Sequence, residues 1–192
     1  MTAPLIYLAS RSPRRRELLN QIRVPHALVD VEIDETPLVG EPAEAFVMRM
    51  ALEKVRAAMR GLSRADLPVL AADTDVVVYG RILGKPLDEE DAVRMLGCLS
   101  GRSHQVLSAV ALIWRGERAR MSESLVCFRP LDEAEIRAYW RTGEPAGKAG
   151  GYGIQGLAAT FVERLEGSYS GVMGLPLFET AELLREAGLP VL

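Results

Sequence analysis

Two carboxylates inside an apolar run and a cluster of arginines at a helix start are the residues of this sequence best placed to do chemistry. In Val69–Val78 the acids Asp73 and Asp75 interrupt a stretch otherwise suited to a buried strand. A carboxylate is costly to bury unless it is paired, hydrogen-bonded or bound to a cation. The two-residue period of a strand puts both acids on one face, roughly 7 Å apart. That spacing suits a divalent metal, or one metal ligand beside a general base; alternatively, the strand ends at Asp73 in an Asx-type turn. The second concentration is Arg11, Arg14, Arg15 and Arg16, with Ser12 suited to N-cap a helix and Pro13 to be its first residue. A helix N-terminus carries about half a positive charge and disfavours arginine by roughly 0.3–1 kcal/mol per charge. Guanidinium forks and free backbone N–H groups gathered there suit a polyanion. The competing reading is a solvated basic face.

Other candidates gain weight only from these two. Ile33-Asp34-Glu35 is a further acidic segment, and Lys54 lies within a predicted helix. Lys85 follows the acidic strand by one hairpin, so the chain can return it beside Asp73. Gly143–Ala149 has one residue too few between its glycines for a Walker A loop and no Ser or Thr after its lysine. Lys148 can still reach a phosphate, and the Gln155 amide, flanked by glycines, can donate and accept against a base edge. His26 and His104 are too few for a histidine metal site, Gly167–Gly171 lacks the central serine of a nucleophile elbow, and no GxGxxG occurs. A hydrolase using metal-activated water, with arginines and lysines against phosphates, is what remains.

The elements that must position these groups alternate. Leu5–Ala9 reads as a strand, followed by the arginine-headed helix to Gln21 with Leu18, Leu19 and Ile22 as its apolar face. A short strand over His26–Val31, a loop over Ile33–Pro37 and a helix over Pro42–Arg60 come next, with Phe46, Val47, Met50 and Leu52 turned inward. Pro68–Tyr79 is the most strand-like run, turning at Gly80-Arg81. Asp88–Leu99 is a capped amphipathic helix, His104–Trp114 and Met121–Phe128 are strands joined around Gly116, and Asp132–Trp140 is helical. After the glycine-rich Gly143–Gly156, a strand over Thr160–Leu165 and a helix over Pro176–Ala187 close the chain. The pattern is α/β with some antiparallel pairing, and residues 1–192 read as a single domain.

The net charge of −3 over 192 residues makes the basic cluster local, which favours a small anionic ligand over nucleic acid. Met1–Leu8 lacks the charged start and long apolar core of a signal peptide, and no apolar run approaches the roughly 20 residues that span a membrane. Cys98 and Cys127, with no CxxC, read as buried thiols in a reducing compartment. A cytoplasmic protein is expected.

In sequence order, Ser10-Arg11-Ser12-Pro13-Arg14-Arg15, Ile33-Asp34-Glu35-Thr36, Glu53-Lys54, Ala72-Asp73-Thr74, Gly84-Lys85-Pro86, Leu99-Ser100-Gly101, Lys148-Ala149-Gly150, Tyr152–Gly156 and Gly174-Leu175-Pro176 resemble the motifs of Maf proteins across nearly the whole chain. The resemblance implies an elongated mixed β-sheet flanked by helices, two lobes with a central cleft, and a likeness in fold to the inosine triphosphate pyrophosphatases. It implies a nucleoside triphosphate pyrophosphatase that releases the monophosphate and pyrophosphate, a divalent metal (Mg²⁺ or Mn²⁺) and a homodimer. Asp73 matches the proton acceptor. Arg14, Thr74 and Gln155 match the base-choice positions in the form found in the dTTP/UTP branch. In the 7-methyl-GTP branch these are Trp, Gln and Glu. Ser10, Arg14, Arg15, Lys54, Lys85 and Lys148 are expected to bind phosphates, with Lys54 and Lys85 also assisting catalysis and Glu35 joining Asp73 as a metal contact. Asp75 stands where the family more often has an apolar residue. The alternatives are a 7-methyl-GTP pyrophosphatase and a nucleotide-binding regulator of septum formation.

Overall fold

The computed structural model describes residues 3–63 and 66–191; Met1 and Thr2, part of the strand-like N-terminal run, lie outside them. The chain runs β1 (Ile6–Ala9), α1 (Pro13–Gln21), β2 (His26–Val29), α2 (Ala43–Gly61), β3 (Val69–Val78), β4 (Arg81–Leu83), α3 (Glu89–Leu99), β5 (Ser103–Ile113) and β6 (Glu117–Phe128). It continues through α4 (Glu133–Arg141), 3₁₀ turns at Ala149–Gly151 and Leu157–Phe161, β7 (Val162–Glu166), α5 (Tyr169–Met173) and α6 (Leu177–Glu186). The strands form one mixed sheet in the order β2-β1-β3-β5-β6-β7, with β4 paired to β3. β1 is parallel to β2 and β3, and the other pairings are antiparallel.

β3 is buried along nearly its whole length because it is central and covered on both faces, so polar and apolar residues do not alternate along it. α2 covers one face through Val47, Ala51, Val55 and Ala58. The opposite face carries two cores. Ile6, Leu8, Leu18, Leu19, Leu183 and Leu184 form one under α1 and α6. Leu96, Leu99, Phe128, Tyr139 and Phe161 form the other under α3 and α4. The family resemblance implies two lobes with a cleft between them, and the cleft is lined by residues of both cores, Val76, Tyr152 and Met173 among them.

Several details differ from the sequence reading. The chain reverses at Tyr79-Gly80, both at positive φ (52° and 68°), so Arg81 already belongs to β4. β6 starts at Glu117 because the turn tightens on Trp114 N–H donating to Gly116 O at 3.0 Å. Leu52 is only half-buried, and the smaller Ala51 takes the inward position. β7 starts at Val162, since Thr160 and Phe161 are held in the preceding 3₁₀ turn. α5 has no counterpart in the sequence reading: at five residues it is too short for periodicity to reveal, and it is set by Ser168, whose hydroxyl accepts from Gly171 N–H. Cys98 is exposed and Cys127 half-buried, so neither is the buried thiol expected. Asp88 and Asp132 cap α3 and α4 by accepting from the N–H three residues on. Ser12 makes no such bond; its own N–H donates instead to Ser10 Oγ at 3.1 Å.

Candidate active site

A cleft of about 760 Å³ collects the sequence-predicted residues from the start of α1, the 31–35 loop, α2, β3, the 146–155 loop and the end of α5. Asp73 lies in the middle of β3, paired across to Ala109 and flanked by continuous ladder, so the turn reading is excluded. Its carboxylate accepts from Lys54 Nζ at 2.6 Å, and both side chains are almost enclosed. The same ammonium lies 2.7 Å from Glu35 Oε1, while Lys85 Nζ reaches Glu35 Oε2 at 3.1 Å. Lys85 therefore does return to the cleft, but onto Glu35 and not onto Asp73. Burial alone would raise Glu35; the two lysines outweigh it and hold the carboxyl down at about 2.

The arginine cluster divides by role. Arg15 Nε donates to Gly174 O at 2.7 Å and Arg14 Nε to Met173 O at 3.2 Å, which aims both guanidinium groups from α1 into the cleft. Burial lowers the proton affinity of each. Arg11 pairs with Asp30 at the rim, and Arg16 is exposed and away from the cleft. The polyanion reading fits Arg14 and Arg15, and the solvated-face reading fits Arg16. Ser10, nearly buried, shapes the loop ahead of α1 by receiving Ser12 N–H.

Lys148 and Gln155 come from the glycine-rich segment, and Glu144 organises it. The Glu144 carboxylate accepts from Tyr139 OH at 2.8 Å, Leu157 N–H at 2.8 Å and Ala158 N–H at 3.3 Å. Tyr139 OH in turn receives Gly153 N–H, and Lys148 Nζ donates to the Glu144 carbonyl. A Cβ on Gly156 would lie 2.4 Å from the Glu144 carboxylate, and one on Gly150 only 2.9 Å from the Val76 side chain. The glycines thus let the loop lie against its brace and against β3, leaving Gln155 exposed at the cleft wall. A loop acid such as Glu144 carries no periodic signal in the sequence; the glycines at 153 and 156 hint at a close neighbour.

Asp75 lies on the same face, two residues along β3, with its Oδ2 buried and unpartnered among the described residues. Burial first, and the neighbouring Asp73 charge second, push its carboxyl up to about 7. The native state therefore retains a proton that the unfolded chain, near 3.8, releases. Stability from this group declines as pH rises through that interval. In the presence of a chelator, Asp75→Asn is expected to melt above wild type at pH 8 by roughly 3 °C or more, about 1 kcal/mol. The gap should close toward pH 4 in a series of thermal melts; a difference independent of pH would show that Asp75 is not the titrating group.

No three His, Cys, Asp or Glu side chains gather into a metal shell among the described residues. Glu35 and Asp73 share the Lys54 ammonium, so a metal would bind beside it through their other oxygens, and Asp75 offers an orphaned oxygen next to Asp73. Hard cations such as Mg²⁺ are commonly held by one or two carboxylates plus substrate phosphates, and this donor set fits that pattern. His104 stays outside the site: it is buried, pairs through Nε2 with Tyr152 OH at 2.8 Å, and is lowered by burial to about 4. No helix among the described residues is long and apolar enough to cross a membrane.

The family described as Maf-like protein matches residues 5–187. A dTTP/UTP pyrophosphatase of Alkalilimnicola ehrlichii is 57% identical over 187 residues, covering 95% of this chain and 93% of that protein. Proteins of the same name are similar at 55% identity in Aromatoleum aromaticum, covering 97% of each chain, and at 52% in Bordetella parapertussis, covering 98% and 95%. Likeness to solved structures is looser: a dITP/XTP pyrophosphatase of Mycobacterium abscessus overlays 64% of this chain and 73% of that one at 20% identity, with a TM-score of 0.41, too low to carry weight.

Proposed function

The chain belongs to the Maf-like protein family, and from that premise we propose that it is a nucleoside triphosphate pyrophosphatase that hydrolyses dTTP and UTP to the monophosphate and pyrophosphate. The observation that carries the chemistry is the Asp73 carboxylate, fixed by Lys54 inside a cleft lined by Arg14, Arg15, Lys85 and Lys148. The choice of substrate is supported by the relatives' names and by Arg14, Thr74 and Gln155 at the base-choice positions.

In this reading Asp73 takes the proton of the attacking water and Lys54 holds its carboxylate in the accepting orientation. Arg14, Arg15, Lys85 and Lys148 bind the triphosphate and offset charge on the departing pyrophosphate. Ser10 shapes the phosphate end. Glu35 and Asp73 would hold Mg²⁺ or Mn²⁺, which when bound supplies Lewis-acid polarisation of the phosphoryl oxygens. The same reading takes the protein as a cytoplasmic homodimer that binds no nucleic acid, in keeping with the family and with a net charge of −3. Its test is pyrophosphate release from dTTP, UTP, CTP, dATP, GTP and 7-methyl-GTP with either metal. dTTP and UTP are expected to lead; a lead for 7-methyl-GTP would overturn the base assignment and keep the chemistry.

A further inference from the structure

Behind the cleft, a chain of hydroxyls decides which way Thr74 presents its proton. Ser108 lies opposite Thr74 in the β3–β5 register and is 1% exposed. Its Oγ is 2.6 Å from the Gly171 carbonyl oxygen and 2.9 Å from Thr74 Oγ1. A carbonyl can only accept, and two oxygens at 2.6 Å with no proton between them repel, so Ser108 donates to Gly171. That commits the only proton Ser108 has. The Thr74 proton must then point at Ser108 Oγ, and Thr74 turns only lone pairs toward the cleft it lines. Gly171 is no loose anchor: its carbonyl also receives Gly174 N–H at 2.9 Å, in the segment whose Met173 and Gly174 carbonyls hold Arg14 and Arg15.

Facing ring position 3, an obligate acceptor distinguishes the pyrimidines; facing position 4 it would instead favour the amino group of cytosine. Uracil and thymine carry an N3–H donor between two carbonyls, whereas cytosine carries a lone pair at N3. We infer that Ser108 is a specificity-determining positioning residue, which locks Thr74 Oγ1 as an acceptor and thereby selects pyrimidine bases bearing N3–H. The inference rests on the dTTP/UTP reading above and adds to it a residue that never touches substrate.

The experiment compares kcat/KM for UTP and CTP in wild type, Ser108→Ala, Ser108→Thr, Thr74→Val and the Ser108→Ala/Thr74→Val double variant. Ser108→Ala frees the Thr74 hydroxyl to rotate and donate into the cleft, so the UTP:CTP ratio is expected to fall roughly tenfold, the scale of one hydrogen bond. Ser108→Thr keeps a hydroxyl and is expected to keep the ratio. In the Thr74→Val background the alanine should change the ratio no further. Partial unfolding would lower both substrates in proportion and leave the ratio untouched. An unchanged ratio in Ser108→Ala, or the same change with Thr74 already removed, overturns the relay. A wild type that does not favour UTP over CTP overturns the substrate reading itself, a result visible before any variant is compared.

Discussion

Asp73→Asn is expected to lower kcat for dTTP by roughly 10²–10⁴-fold, the range of a lost general base, while KM changes little. Asparagine has the size and shape of aspartate, and its amide oxygen can still accept from Lys54 Nζ, 2.6 Å away in the native site. The groups assigned to the triphosphate, Arg14, Arg15, Lys85 and Lys148, are held by Met173, Gly174, Glu35 and the Glu144 carbonyl and do not hydrogen-bond Asp73. The substitution removes the capacity to take a proton and one anionic oxygen ligand of the proposed metal pair, so kcat is compared at saturating Mg²⁺. Steady-state kinetics beside a thermal melt make the check: a folded Asp73→Asn enzyme keeping more than about a tenth of wild-type kcat would remove Asp73 from the role of proton acceptor.

Lys54→Met is expected to damage stability and activity together. The ammonium lies between Asp73 and Glu35 at 2.6 and 2.7 Å, with its side chain 12% exposed. Breaking a buried pair costs about 3–5 kcal/mol because the remaining charge is stranded. The lower end applies here, since Glu35 is 43% exposed and partly hydrated. About 3 kcal/mol corresponds to roughly 6–12 °C in Tm for a chain of this size. The loss should be greatest above pH 7 without divalent cations, where Glu35, Asp73 and Asp75 crowd together as anions. Added Mg²⁺ should recover part of it, and kcat/KM should fall by about 10²-fold because Asp73 loses its orientation. A Tm within about 2 °C of wild type at pH 8 would show that the bridge contributes little.

The arginine-headed helix shows how far local chemistry carries. Four arginines against a helix dipole announce an anion, and although the family resemblance puts Arg14 and Arg15 at the phosphates, nothing local to the helix sets them apart from Arg11 and Arg16. Only the packing of α5 against α1 separates them, because the carbonyls of Met173 and Gly174, about 160 residues away, pin Arg14 and Arg15 toward the cleft. β3 is the converse case. Its apolar run and its period of two told of a buried strand carrying acids on one face, and the ladder to β5 runs through both of them. Neither period nor composition could say that Lys54, 19 residues earlier on α2, would pair with Asp73.

By itself, then, the sequence determined most of the alternating elements, the cap at Asp88 and the acid-bearing strand, because each depends on neighbours within a few positions; the full set of cleft residues is legible only through the family resemblance. The tertiary structure alone decided which of those residues meet. Lys85 goes to Glu35, Glu144 braces the loop of Lys148 and Gln155, and Ser108 sets the Thr74 hydroxyl. Those contacts are short and directional but join segments far apart in the chain, and their partners carry no periodic signal. Folding brings them together by burying apolar faces; the polar geometry of the site follows from where that burial leaves each backbone.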